Sequence, residues 1–319
     1  MRAFVVSDHG VAPQVEDVAE PSPGPGQVLV RIHACGLNFG DLLIIKGTYQ
    51  DTPPLPFTLG MEIAGVVEAL GEGVTSPAVG TRVAVFEGAG GLAEAGVFSA
   101  ERCVEIPDTM PFEEAAGFIV AYGTSHLALT DRAHLKTGER LLVLGAAGGV
   151  GLTAVELGAA MGAEVIAVAR GTQKLAVAKA AGATHVLDSE TADIRAEVKA
   201  LGGADVVYDA VGGDGFKAAM RSTNPGGRII VIGFASGDVP QIPANHLLVK
   251  NIDAIGFYWG GYLKWAPERL AGSLADLMGM YEAGQLTPHI GATRPLAETA
   301  EALELLRSRK VSGKVVVTM

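Results

Sequence analysis

Residues 112–224 contain no proline, whereas ten of the sixteen prolines lie at or before Pro111 and six follow that stretch. Proline fixes φ and lacks the N–H donor, so a long proline-free stretch admits regular helices and central strands that the flanking segments do not. The chain is therefore predicted to hold two differently built parts. Ahead of Pro111 it reads as short strands and turns. Pro21, Pro23 and Pro25, punctuated by Gly24 and Gly26, precede a strand Gln27–His33, and further strands are predicted at Glu62–Leu70 and Arg82–Phe86.

From about Leu141 short apolar runs alternate with Ala-rich helical segments, the pattern of a parallel sheet covered on both faces. Strands are predicted at Arg140–Leu144, Glu164–Ala169, His185–Leu187, Ala204–Tyr208 and Arg228–Ile232. Helices fill the gaps, with Gly182 and Gly202 as stops. A helix is expected from Pro267 to Ala283, and another from Pro295 with Leu296, Ala300 and Leu303 on one face. A closing strand, Lys314–Thr318, follows.

Composition narrows the class of protein. A chain of 319 residues exceeds the roughly 250–300 that one core serves, so two domains are expected. With 49% hydrophobic and 18% charged residues, it has the apolar surface to fold. The balance of 24 Lys+Arg against 35 Asp+Glu gives 24 − 35 = −11, which argues against nucleic acid or an anionic membrane as partner. The apolar stretch 115–130 is closed by Glu114 and Asp131 and does not span a bilayer. The first residues are too briefly apolar for a signal peptide, and Cys35 and Cys103 form no Cys-x-x-Cys, so a reducing, cytoplasmic location is expected.

The strand Leu141–Leu144 runs into Gly145-Ala-Ala-Gly-Gly-Val-Gly151 and then an Ala-rich helix. That context makes Ala146-x-Gly148-x-x-Gly151 a variant dinucleotide fingerprint, in which small residues let backbone N–H groups approach a pyrophosphate. Ala146, Ala147, Gly148, Gly149 and Val150 are the expected cradle. The next strand ends in Arg170, followed by Gly171 and Lys174, where NAD enzymes carry an acid; no carboxylate is available in that segment. A cation there suits a 2′-phosphate, so NADPH is predicted over NADH.

The whole chain resembles the zinc-free, zeta-crystallin-like quinone oxidoreductases of the medium-chain dehydrogenase/reductase superfamily. The resemblance is carried by Gly36-Leu-Asn-Phe-Gly-Asp41, Gly47-Thr-Tyr49, Gly60-Met-Glu-Ile-Ala-Gly65, Gly145–Gly151, Val231-Ile-Gly-Phe234 and Gly313-Lys314. It implies an α/β fold: a GroES-like β-barrel catalytic domain, residues 1–118 completed by 262–319, and a Rossmann doubly wound domain, 119–261. In the zinc-dependent branch a Cys stands where Asn38 is and a His where Met61 is. An amide and a thioether are poor substitutes among the three ligands a catalytic zinc needs, and two cysteines cannot build a four-Cys structural site. No metal is expected.

The resemblance implies hydride transfer from NADPH to a small-molecule quinone or enone, with Asn38 and Tyr49 hydrogen-bonding the acceptor oxygen. It also implies cofactor contacts from Asn38, Thr124, Phe234, Ala235, Phe257 and Lys314, while Leu187-Asp-Ser189 departs from a strand end that often carries Tyr near the adenosine phosphate, where Ser189 can still donate a hydrogen bond. A homodimer paired through Asn251–Trp259 is implied as well. Reduction of an enoyl thioester, and a low-turnover NADPH-binding structural role, stand as alternatives. Plainer readings sit beside several residues. Asn38 and Asp41 have helix-cap spacing ahead of a helix Leu42–Lys46 stopped by Gly47. Tyr49 also suits packing against Pro53, Pro54 and Pro56, and Glu62 also suits pairing with a buried Arg. Glu156 stands where relatives commonly carry Gln.

Overall fold

The computed structural model describes residues 1–319. It divides into two compact units, 1–120 with 288–319, and 121–287.

The second unit is built on six parallel strands in the order His185–Asp188, Glu164–Ala169, Arg140–Leu144, Ala204–Asp209, Thr223–Val231, Asp253–Gly256. The first strand in sequence lies third, and the order reverses beside it. That is the doubly wound arrangement, whose crevice opens at the carboxyl ends of the two strands flanking the reversal. The strands bury both faces, as their unbroken apolar runs require: Leu142, Ile166, Val207 and Ile229 join Phe216 in one core. The fifth strand begins five residues earlier than predicted. Thr223 pairs with Ala204 and Arg228 with Val206, the intervening Pro225-Gly226-Gly227 making an irregularity that the strand bridges.

The first unit joins strands from residues 27–105 and the two C-terminal strands in one seven-stranded sheet, beside a three-stranded sheet of Gln14–Asp17, Arg2–Val6 and Phe57–Thr58. The order in the larger sheet is Ile290–Pro295, Lys314–Thr318, Gln27–Leu37, Glu62–Leu70, Arg82–Phe86, Cys103–Glu105, with Ala95–Ser99 also paired to Gln27–Leu37. The closing strand runs antiparallel to the first long one, Val315 opposite Leu37 and Val317 opposite Cys35. Val28, Val30, Ile63, Val85, Phe98 and Val317 fill the space between.

Two expectations are corrected by the structure. Residues 262–287 fall in the second unit, not the first. The helix Pro267–Glu282 is tied there by its Ser273 hydroxyl to the His126 ring (2.8 Å) and by Arg269 to Asp131 (2.9 Å). The helix expected from Pro295 starts later, because Pro295 ends the strand Ile290–Pro295 and a single tight turn, Leu296–Glu298, intervenes before Thr299–Arg307. The buried face therefore runs through Leu296, Thr299, Ala302 and Leu303, and Ala300 is exposed.

Candidate functional site

In the second unit the loop after Leu144 is shaped by two glycines. Gly145 has φ 71°, a left-handed conformation that side chains resist. At Gly151 an added Cβ would sit 2.1 Å from the Gly145 carbonyl oxygen, so only glycine lets the helix Gly149–Ala160 start this close to the strand. Ala146 and Ala147 are buried, while Gly148 is exposed at the helix start and a Cβ there would meet nothing closer than 3.4 Å. The first-turn N–H groups have no intrahelical acceptor and carry the positive end of the helix dipole. A buried hydroxyl lock holds this turn in place. Ser125 Oγ donates to the Val150 carbonyl (2.9 Å) and lies 2.8 Å from Thr153 Oγ1 and 3.0 Å from the Tyr208 hydroxyl. Nothing in the local sequence marks Ser125, because its partners come from two other elements. Thr124, the residue before it, is buried on the helix Ile119–Leu127.

Arg170 follows the second strand with its side chain 64% exposed. The absence of a carboxylate expected from its own segment does not carry over to its surroundings. Parallel pairing sets Ala169 beside Asp188, and two acids arrive from that neighbouring strand end. Glu190 Oε1 lies 3.3 Å from Arg170 Nε. Asp188 Oδ1 accepts the N–H groups of Glu190 and Gly171, both at 3.1 Å, and these bonds, with Arg170 nearby, hold its carboxyl below the usual range. Ser189 is exposed between the two acids, and Lys174 is half-buried on the helix Thr172–Ala180. At the ends of later strands, Phe234 is 37% exposed, the Ala235 N–H donates to the Ala210 carbonyl, and the half-buried Phe257 ring lies 5.7 Å from that of Tyr262. Asp209 shapes the adjoining loop by accepting from Val211 N (2.8 Å) and Gly212 N (2.9 Å), burial raising its carboxyl.

The first unit holds a buried polar cluster. Asn38 caps the helix Phe39–Ile45, and Asp41 returns a carboxylate oxygen to the Asn38 N–H at 2.7 Å, so the cap reading of these two residues is what the structure shows. Asn38 does more than cap. Its Oδ1 accepts from Lys314 Nζ (2.7 Å), and its Nδ2 donates to Glu62 Oε2 (3.0 Å) and to the Gly36 carbonyl (3.3 Å). Glu62 is fully buried. Oε2 also accepts from Lys314 Nζ (2.9 Å), and Oε1 from Val120 N (2.8 Å). The buried cation anticipated for Glu62 is thus a lysine, not an arginine. Sheet register brings it there. Gly36 pairs with Val316 on one side and Glu62 on the other, and two further antiparallel steps, through Leu37–Val315, set Lys314 opposite Asn38. An added Cβ on Gly36 would lie 2.0 Å from the Ala116 carbonyl.

Two neighbours complete the cluster. Asp41 Oδ1 is buried without a hydrogen-bond partner, and burial pushes the Asp41 carboxyl up to about 7, Glu62 adding to the shift while the Asn38 N–H and Lys314 oppose it. Tyr49 is half-buried beside Gly40, where an added Cβ would come within 3.3 Å of its ring and 2.8 Å of Met61 Cε. Burial raises the Cys35 thiol well above its usual value, so Cys35 is a small core residue. The donors beside Met61 do not suit zinc: no three His, Cys, Asp or Glu side chains converge, and Glu62 already takes three donors.

Residues 24–108 match the family model described as an alcohol dehydrogenase GroES-like domain, and residues 149–277 match the zinc-binding dehydrogenase model. A quinone oxidoreductase-like protein 2 homologue of Nematostella vectensis is 41% identical over 323 residues, spanning 99% of this chain and 88% of that one. The quinone oxidoreductase of Thermus thermophilus, solved also as its complex with NADPH, is 33% identical with a TM-score of 0.89 over the full length of both chains. The Escherichia coli quinone oxidoreductase complexed with NADPH is 27% identical, with a TM-score of 0.93 and the same full coverage.

Proposed function

Because this chain belongs to the quinone oxidoreductase family of the medium-chain dehydrogenase/reductase superfamily, we propose that it reduces a quinone, or a similar conjugated carbonyl, with NADPH and without zinc. The observation that carries this reading is the Asn38–Glu62–Lys314 set. It commits Asn38, which stands at one metal-ligand position of the zinc-dependent branch, to Glu62 and Lys314, so the chain suits acceptors that are already electrophilic.

The residues of the second unit fit the nucleotide. Backbone N–H groups from Ala146, Ala147, Gly148, Gly149 and Val150 would hold the pyrophosphate, the Gly145–Gly151 contact keeping the turn tight enough for it. Arg170, Lys174 and Ser189 would take the 2′-phosphate, with Thr124, Phe234, Ala235 and Phe257 as further contacts and Asn38 and Lys314 toward the nicotinamide. NADPH, when bound, supplies the hydride. Tyr49 would bind the acceptor oxygen, and Asn38, whose amide hydrogens go to Glu62 and the Gly36 carbonyl, would act from beside it without donating to it.

No helix is long and apolar enough to cross a membrane, which suits a small-molecule acceptor; a cytoplasmic location is part of this reading. A homodimer is also proposed. The edge strand Asp253–Gly256 leaves one side of its ladder open, and Leu248 and Val249 nearby are 76% and 70% exposed. Light scattering at the mass of two chains is the expected result.

The test is a panel of quinones, enones and enoyl thioesters with NADPH. A quinone is expected to give the largest kcat/KM. An enoyl thioester at the head of the panel would replace the quinone, and tight NADPH binding without turnover of any acceptor would overturn the assignment as a reductase.

A further inference from the structure

We propose that the Lys314 ammonium is a catalytic residue: a fixed cation that hydrogen-bonds the acceptor oxygen and carries out the charge-stabilising task that the zinc-dependent branch gives to its metal. This inference rests on the hydride-transfer reading above.

The hydrogen atoms of the cluster can be counted. The Asn38 amide has two, and they go to Glu62 and to the Gly36 carbonyl. Asn38 therefore has no hydrogen left for a substrate, and its oxygen is taken by Lys314. The ammonium has three, of which one goes to Asn38 Oδ1 and one to Glu62 Oε2. One N–H remains, on a side chain 7% exposed, so the cluster offers a single charged donor. Its position is fixed from two sides, by an amide oxygen and a fully buried carboxylate that is itself pinned by Val120 N. Glu62 is a positioning residue: it orients Asn38 and Lys314 together, and it is the counter-charge that makes a buried ammonium tolerable.

A cation held in this way is pre-organised for charge that develops only during reaction. Hydride brings the acceptor two electrons and one proton, leaving NADP+, and the conjugated oxygen takes up the negative charge. A proton from water then completes the reduced acceptor. Lys314 keeps its own proton throughout and acts by electrostatics and hydrogen bonding.

The test uses the full chain saturated with NADP+ and 4-nitrophenol as a stand-in for the anionic product, because its phenolate absorbs where the phenol does not. With Lys314 at the oxygen, bound nitrophenol is expected to ionise at least about tenfold more readily than in Lys314→Met, which corresponds to one pH unit or more. Lys314→Arg should keep much of the difference. Lys314→Met should also lower quinone kcat/KM by about 10²–10³-fold, a factor at least about tenfold larger than any rise in NADPH Kd. The Glu62→Gln/Lys314→Met pair, which leaves no buried charge unpaired, covers the case in which the single variant fails to fold, and it should show the same spectral change. Equal ionisation of bound nitrophenol in parent and variants, or no nitrophenol binding by the parent, overturns the proposal. So does a loss of quinone turnover matched by an equal rise in NADPH Kd, which would make Lys314 a cofactor contact alone. Failure of the underlying reading looks different, since the parent itself would then not reduce quinones.

Discussion

The dinucleotide loop and the Asn38 cluster are made of different material. Gly145–Gly151 is a continuous piece of backbone whose geometry depends on missing side chains, above all on the Cβ absent from Gly151. The cluster is the reverse, three long polar side chains from residues 38, 62 and 314 that meet because three strands pair. A site made of backbone tolerates almost any neighbour and almost no added atom. A site made of side chains tolerates small shifts in backbone but fails when one member leaves, since each group is the partner of two others.

The largest expected effect tests the first half of that contrast. In Gly151→Val the new Cβ lands on backbone that cannot swing aside, 2.1 Å from the Gly145 oxygen and 2.8 Å from its carbon. NADPH affinity should fall by more than about 100-fold, and stability by about 1–3 kcal/mol, the usual range for overpacking. Gly148→Ala is the companion. Its Cβ meets only ordinary contact at 3.4 Å, so the melting curve should match the parent while NADPH titration weakens. Equal melting losses in the two variants would show that packing, not approach to the phosphate, governs both positions.

A smaller effect lies at the loop's charged rim. Arg170→Ala should raise the NADPH Kd by about 10- to 150-fold, the range for a charge-assisted hydrogen bond, and leave NADH within about threefold. Glu190→Gln should act oppositely, tightening NADPH by about two- to fivefold, because the 2′-phosphate no longer competes with a carboxylate 3.3 Å from Arg170. Fluorescence titration with both nucleotides reads all four constants. Parallel changes for NADH and NADPH would remove Arg170 from the phosphate site.

The same contrast explains what could be read before the structure. Strands such as Glu62–Leu70, Arg140–Leu144 and Glu164–Ala169 are legible because a buried strand is an unbroken or alternating local pattern. The Gly-rich turn is legible because its requirement, small residues in a row, is local as well. Asp188 and Glu190 were hidden from any reading of the Arg170 segment, since only parallel pairing with the next strand brings them alongside. Glu62 could be recognised as needing a cation, but the register of a strand more than 250 residues away decided which one. The helix Pro267–Glu282 displays its apolar face openly, yet nothing in that face says which unit it covers.

Asp41 offers the most gradual effect and the sharpest sign. In the unfolded chain its carboxyl ionises near the ordinary 3.8; in the fold, burial moves it to about 7. Between those values the folded protein keeps a proton that the unfolded chain has released. Stability from this group is therefore fully present below about pH 4, declines as pH rises toward 7, and is lost above it. Asp41→Asn retains an oxygen for the Asn38 N–H and removes the ionisation. The variant should equal the parent to within about 0.5 kcal/mol near pH 4 and then gain on it by on the order of 1 kcal/mol per pH unit up to about pH 7, in urea unfolding at each pH. A parent–variant difference independent of pH would mean that Asp41 ionises normally in the fold. Lys314 would then face two carboxylates in place of one, and the spare hydrogen assigned to the acceptor would have a competitor within the protein.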